Sequence, residues 1–203
     1  MNREPTVFLV DDDPAVRDSL GLFLESTGMT VKPYASAEDF LEEYRIEWPG
    51  CVVLDIRMPG MTGLELQDIL QARNIKIPII FLTGHGDVPM SVKAFKAGAV
   101  DFIEKPFNDH VLLTRIREAI EQDSQTRTNQ ARIDEVRRRY VHLTRREKEV
   151  MRLVACGHSN KEIAKQLDIS HRTIDVHRAR LMEKMQAHSL PELVNMAAIC
   201  DVI

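Results

Sequence analysis

Three carboxylates, a hydroxyl and an ammonium stand in this sequence where short apolar runs end. Asp11 and Asp12 follow Val7–Val10, Asp55 follows Cys51–Leu54, Thr83 follows Ile79–Leu82, and Lys105 follows a shorter run near 101–103. Each run has the length and branched apolar composition of a buried strand. Carboxylates gathered in one pocket repel, so either their pKa values rise or a cation joins them. An oxygen-only donor set without His or Cys suits Mg2+, or Mn2+ in its place, bound by few carboxylates, several waters and a phosphate oxygen. Asp55 is then the candidate nucleophile, attacking a phosphoryl donor to become an aspartyl-phosphate. Asp12 and Asp55 would hold the metal, with Asp11 contributing directly or through water. Lys105 would pair with the carboxylate and then the phosphoryl oxygens, and Thr83 would hydrogen-bond the group once it arrives. Taken singly, each residue reads as a helix cap or a turn residue; their joint position at strand ends points to phosphoryl chemistry.

Helices must separate those strands. Asp13 offers an N-cap, Pro14 the first helical position, and Val16, Leu20 and Leu24 an apolar stripe that Gly28 ends. A weaker strand covers Thr30–Tyr34, and Ser36 with Asp39 resembles a capping box for the next helix. Leu64, Leu66, Ile69 and Leu70 mark a third helix, and a fourth runs from about Pro89 to Ala97, stopped by Gly98. Asn108 caps a last one carrying Val111, Leu112, Ile116 and Ile120. Five such strand–helix units imply a parallel sheet covered on both faces, whose ligands bind beyond the carboxyl ends of the strands.

The net charge of −4 conceals a split. Through Ser124 there are 12 Lys and Arg against 21 Asp and Glu, a balance of −9; from Gln125 there are 15 against 10, a balance of +5. An acidic front and a basic back suggest different partners, nucleic acid for the second. Cys51, Cys156 and Cys200 lack framework or metal spacing and read as reduced, packed thiols. With no apolar run of membrane-spanning length and no basic-then-apolar N-terminus, the expectation is a cytoplasmic chain with no membrane partner.

Residues 122–129 are polar and aperiodic, a linker or a frayed helix end; beyond them Ile133, Val136, Tyr140 and Leu143 recur at helical spacing beside Arg137-Arg138-Arg139. Thr144 with Glu147, and Ser159 with Glu162, are capping boxes opening two helices, and Ser170 caps a third across a tight link, which reads as helix-turn-helix. At about 100° per residue, Ile174, Leu181 and Met185 share one side of that third helix, while Arg172, Asp175, Val176, Ala179, Arg180 and Glu183 share the other. Val176 suits a thymine methyl, Asp175 a cytosine amine, and the arginines guanine or phosphate. Lys161, Arg172, Arg178 and Lys184 are better placed for phosphates. A fourth helix from Ser189 presents Leu190, Leu193, Val194 and Ala197 on its apolar face.

Val10-Asp11-Asp12, Asp55-x-x-Met58-Pro59-Gly60, Thr83-Gly84-His85-Gly86-Asp87 and Lys105-Pro106-Phe107 resemble a response-regulator receiver domain of the NarL/FixJ type, over roughly 5–121. The resemblance implies phosphorylation of Asp55 by a sensor histidine kinase, a metal shell completed by the Arg57 backbone carbonyl, and a cis Lys105–Pro106 peptide. It also makes Phe102 an aromatic switch that turns inward with Thr83, and lets Arg57 and His85 flank the pocket and set the phosphate's lifetime. Leu143-Thr144-x-Arg146-Glu147, Gly157-x-Ser159-Asn160-Lys161-Glu162-Ile163-Ala164 and Ser170-x-Arg172-Thr173-Ile174-x-Val176-His177 resemble the LuxR-type DNA-binding domain. That likeness puts the recognition helix, Thr173 included, in the major groove of double-stranded DNA and gives dimerisation to the last helix. Asp175 departs from the basic residue some relatives carry there, so their operator preference does not transfer.

The expected architecture is therefore an α/β, five-stranded parallel doubly wound receiver domain (1–121), a partly helical linker (122–137) and a small all-α helix-turn-helix domain (138–203). The expected function is transcriptional regulation by a two-component response regulator that dimerises on phosphorylation, with RNA polymerase open as a further partner. It is no enzyme beyond self-phosphorylation and slow self-dephosphorylation; Asp55-Ile56-Arg57 lacks the second acid of an aspartyl-phosphate phosphatase. The alternative is a phosphorylation-independent DNA-binding regulator whose receiver is a dimerisation scaffold.

Overall fold

A computed structural model of the chain describes residues 4–84 and 101–202. The helix expected from about Pro89 to Ala97, its stop at Gly98, and His85, Gly86 and Asp87 lie outside the described residues. The chain divides into two compact units, Met1–Arg127 and Thr128–Ile203.

The first unit holds a five-stranded parallel sheet of β1 (Thr6–Val10), β2 (Thr30–Tyr34), β3 (Gly50–Asp55), β4 (Ile79–Thr83) and β5 (Asp101–Glu104), in the order β2-β1-β3-β4-β5. Central β3 is buried along its whole length, which is why it reads as an unbroken apolar run rather than an alternation. Side chains of successive residues go to opposite faces. Phe8, Val10, Val52, Leu54 and Phe81 pack on one face, and Val7, Leu9, Val53, Ile80 and Leu82 on the other. The helices are α1 (Pro14–Ser26), α2 (Ala37–Glu43), α3 (Gly63–Ala72) and α4 (Asp109–Val141). Leu66 of α3 and Phe40 of α2 join the first core; Leu20 and Leu24 of α1 and Leu112 and Ile116 of α4 join the second. Val10 of β1 pairs with Leu54 of β3, so Asp11 and Asp55 each follow at the same edge. Register, not side-chain attraction, brings the two acids together.

Helix α4 runs through the whole segment expected as a linker. Its polar residues are held there by the first unit. Asp123, 3% exposed, accepts from Gly50 N (2.9 Å) and from Arg127 Nε (2.6 Å). Arg127 donates onward to the carbonyls of Ile46 (2.7 Å) and Trp48 (2.8 Å). Three hydrogen bonds to the rest of the unit, braced by the Arg127–Asp123 pair within the helix, thus replace the apolar stripe by which a helix is ordinarily fastened.

The second unit adds α5 (Arg145–Ala155), α6 (Asn160–Leu167), α7 (His171–Met185) and α8 (Leu190–Ile199). Thr144–Glu147 and Ser159–Glu162 form complete capping boxes, and Ser170 and Ser189 cap α7 and α8. Asp168, at φ 52°, makes the turn from α6 to α7. Val136, Val150, Met151, Ile163, Ile174, Leu181 and Met185 meet in one core. The expectation of three packed cysteines needs correcting: Cys51 is buried and Cys200 half-buried, but Cys156 is exposed, because it lies where α5 ends and the chain turns outward.

Asp123→Ala strips Gly50 N and Arg127 of their buried acceptor and should cost the first unit about 3 kcal/mol, the loss typical of breaking one side of a buried pair. Trp48, the one tryptophan, sits beside that network and reports it alone. Its fluorescence should show a lower urea midpoint in the variant.

Candidate functional site

Strand ends supply the first site. Asp11, 1% exposed, accepts from Asp13 N through Oδ1 (2.9 Å) and from Lys105 Nζ through Oδ2 (2.8 Å). Asp55, 8% exposed, accepts from the same Nζ through Oδ1 (2.6 Å) and from Arg57 N through Oδ2 (2.7 Å). One ammonium therefore bridges two carboxylates on neighbouring strands. Its own backbone N–H donates to Thr83 O (2.7 Å), and the Lys105–Pro106 peptide is cis. Thr83 ends β4, buried, with Oγ1 donating to Gly84 O (3.1 Å). Phe102 of β5 stacks on Phe81, ring centroids 5.0 Å apart. Asp12 is next along from Asp11 and exposed, as is Arg57.

Burial pushes the Asp55 carboxyl above its ordinary value, and the Asp11 charge adds to that; Lys105 and the Arg57 N–H pull the other way. For Lys105, burial alone would lower the pKa, but its bonds to Asp11 and Asp55 outweigh it and the net shift is upward. The ammonium is held charged while one carboxylate is made more basic, which suits a nucleophile waiting for an electrophile.

Two acids and an exposed third make a shallow, oxygen-only donor set. Among the described residues no three His, Cys, Asp or Glu are grouped as a closed metal cage. Such a set fits a hard cation that keeps much of its water and takes oxygen from a substrate, as magnesium does. Backbone geometry keeps the edge tight: Gly63 N donates to Ile56 O (3.0 Å), and a Cβ on Gly63 would lie 2.3 Å from the Asp55 carbonyl. Only glycine lets α3 begin that close to β3.

A second candidate surface is α7. Ile174, Leu181 and Met185 face inward; Arg172, Asp175, Val176, Ala179, Arg180 and Lys184 are exposed, and Thr173 and Arg178 are half-buried. Several of these already have partners. Asp175 accepts from Asn160 Nδ2 (2.7 Å) and pairs with His171 (3.2 Å), and Arg178 donates to Asn160 Oδ1. Thr173 shares a hydrogen bond with Ser170 (2.7 Å), and Lys184 Nζ donates to Glu147 (2.8 Å). Lys161 is exposed on α6. On α8, Leu193 and Ala197 are buried in the unit's own core, whereas Leu190 is exposed and Val194 half-buried. The four residues expected to meet a second copy thus divide, because a helix this amphipathic spends its most apolar positions on its own domain.

Sequence reasoning passed over Arg17, whose Nη1 donates to Asp11 O (2.6 Å), and Asn160, which ties α6 to α7. Both are polar residues bonded across elements, and no periodicity marks them. Glu147 was read as a cap only, yet it is 2% exposed and accepts from Thr144 N (2.7 Å), Thr144 Oγ1 (2.9 Å) and Lys184.

Burial pushes the Glu147 carboxyl up, but Lys184 and the Thr144 donors pull it down by more, so its pKa lies below the ordinary glutamate range. A carboxylate depressed in the folded state stabilises fully above its unfolded pKa and loses that stabilisation as pH falls through the folded one. Glu147→Gln should therefore cost the second unit about 2 kcal/mol at neutral pH, and the gap should close as pH falls through the depressed folded-state pKa. Thermal melts followed by helical circular dichroism check both halves.

With this geometry in place, comparison with known proteins is informative. The response regulator receiver domain model matches residues 7–117, and the model of bacterial regulatory proteins, luxR family, matches residues 141–197. The transcriptional regulatory protein FixJ of Rhizobium meliloti is 48% identical over 192 residues, 95% of this chain and 94% of that protein. The response regulator protein TodT of Pseudomonas putida is 43% identical over 195 residues, 96% of this chain and 86% of that protein. The solved structure of the response regulator StyR superposes with a TM-score of 0.87 at 43% identity, covering 97% of this chain and 99% of that one. Receiver domains answer to sensor kinases and generally use magnesium, and luxR-family domains bind DNA. The chain belongs to the response regulators that join a receiver to a luxR-family DNA-binding domain, and is a two-component regulator of transcription.

Proposed function

We propose that Asp55 is the phosphoacceptor and that its phosphorylation by a sensor histidine kinase controls dimerisation and sequence-specific DNA binding. The supporting observation is the Lys105 ammonium bonded at once to Asp11 and Asp55. Asp55 Oδ1 attacks phosphorus; the P–N bond of the donor phosphohistidine breaks, and the imidazole keeps the electron pair and takes up a proton. Lys105 then follows the charge from carboxylate to phosphoryl oxygen, and Thr83 Oγ1 turns from Gly84 O to donate to the phosphoryl group. Asp11, Asp12, Asp55 and the Arg57 carbonyl are the residues to hold magnesium (or manganese), which supplies positive charge against the oxygens of the transferring group.

A donor protein must reach this edge. Beside Lys105 lies a groove of about 360 Å³, walled by Val16, Leu20, Phe23, Pro106 and Phe107 with Ser19 and Asp109 at its polar positions. The added charge of roughly −1.5 to −2 draws Thr83 and Phe102 inward and reshapes the surface after β4, where two receivers pair near the start of α4. In the second unit the α7 face of Arg172, Thr173, Asp175, Val176, Ala179 and Arg180 enters the major groove, Val176 toward a thymine methyl and Asp175 toward a cytosine amine, while Lys161, Arg172, Arg178 and Lys184 hold phosphates. Leu190 and Val194 are the α8 residues left to meet a second copy. The setting is the cytoplasm, with RNA polymerase as a further partner; catalysis is limited to self-phosphorylation and slow self-dephosphorylation. Among the described residues no helix is long and apolar enough to cross a membrane.

Acetyl phosphate with magnesium should add the mass of one phosphate, located on Asp55 by peptide mapping and lost in Asp55→Asn. Gel filtration should move from monomer to dimer with the donor, and DNA selection should retain a dyad-related site with half-sites roughly 34 Å apart or a multiple. An Asp55→Asn protein that regulates as fully as its parent would instead favour a phosphorylation-independent scaffold.

A further inference from the structure

The segment 56–62 links the Asp55 strand to α3 and carries the Arg57 carbonyl. Three of its hydrogen bonds are local: Arg57 N to Asp55 Oδ2 (2.7 Å), Gly63 N to Ile56 O (3.0 Å), and Thr62 N to Glu65 Oε2 (2.8 Å). Two reach other parts of the chain, the first from Ile56 N to Leu82 O of β4 (3.2 Å). Glu38, in the first turn of α2, reaches over and accepts from Met61 N through Oε1 (2.9 Å). Gly60, at φ 74°, makes room for it: a Cβ there would lie 2.8 Å from the same oxygen. Gly60 thus leaves the exposed Glu38 side chain room at the loop, and Ala37 and Phe40 tie α2 to the core.

We propose that Glu38 is a positioning residue for phosphorylation of Asp55, acting through the Met61 N–H to hold the 56–62 loop, and with it the Arg57 carbonyl, in one frame with the acceptor carboxylate. This rests on Asp55 as phosphoacceptor. Glu38 touches neither donor nor acceptor, and its effect is preorganisation: a loop that need not be ordered at each turnover lets the same groups react faster. What matters is an acceptor oxygen at that point, not a negative charge. Glutamine supplies one through its amide carbonyl; alanine does not.

Three proteins decide the matter: the parent, Glu38→Ala and Glu38→Gln. For each, the initial rate of mass gain with acetyl phosphate and magnesium is measured, along with amide hydrogen exchange at Met61 without metal or donor. Removal of one hydrogen bond of ordinary net worth predicts a rate about five-fold lower in Glu38→Ala and Met61 exchange faster by a similar factor. Glu38→Gln should stand within about two-fold of the parent in both, since its carbonyl can accept the same bond. Retained melting temperatures show that neither variant has lost its fold. If Glu38→Ala matches the parent in rate, or Glu38→Gln falls with it, the positioning role is overturned. A parent that takes up no phosphate overturns the phosphoacceptor reading itself, which the metal-free exchange data would leave distinguishable from a fault in the role of Glu38.

Discussion

Two carboxylates at the ends of adjacent parallel strands repel, and burial leaves little water to screen them. Asp11 and Asp55 are put in that position by strand register, which serves the hydrophobic core and is indifferent to their charge. Lys105 resolves the conflict, and everything that places Lys105 can be read as service to that end: the short fifth strand, the backbone bond to Thr83 and the turn at Pro106. A site of this kind is poised, since a buried ion pair contributes modestly to stability while intact and its charges are costly to strand. On the proposed phosphorylation, a phosphoryl group at Asp55 would bring new acceptor oxygens for the same ammonium, exchanging one set of bonds for another without leaving a charge unpaired.

The second unit solves a related problem with different means. Glu147 is buried at the base of α5 and satisfied by its own cap and by Lys184 from α7, so it fixes two helices of the core against each other. Asn160 bonds both Asp175 and Arg178 and so sets α6 against α7. These contacts determine how the outer face of α7 is presented. Residues already bonded within the domain are pre-positioned, and meeting a partner orders them at a lower entropic cost than free side chains. Lys184 is the exception in kind, because any phosphate contact it makes must be shared with Glu147.

Much of this was legible in sequence, for identifiable reasons. Apolar runs ending in Asp11, Asp55 and Thr83 place chemistry at a sheet edge because parallel strands share one carboxyl end. The caps at Thr144, Ser159 and Ser170 fall where the capping pattern puts them. What escaped was polar and long-range. Residues 122–129 have no apolar stripe, so they look like linker, yet Asp123 and Arg127 fasten that stretch of α4 by hydrogen bonds to Gly50, Ile46 and Trp48. Glu38 lies 23 positions from its partner Met61, beyond any local rule. On α8, periodicity marked Leu193 and Ala197, which the domain keeps, together with Leu190, which is exposed, and it passed over the buried Met196.

The same strand joins both kinds of feature. β3 ends at one extremity in Asp55, bonded to Lys105, and begins at the other in Gly50, whose N–H is held by Asp123 of α4. Between them every residue is buried and in contact with close-packed neighbours, so the strand has little room to deform by itself. Packed cores of this sort settle into discrete arrangements rather than bending continuously, which is the property a charge-operated switch requires. The polar grip of Asp123 on Gly50 and the Lys105 bond to Asp55 thus hold the two ends of one buried strand.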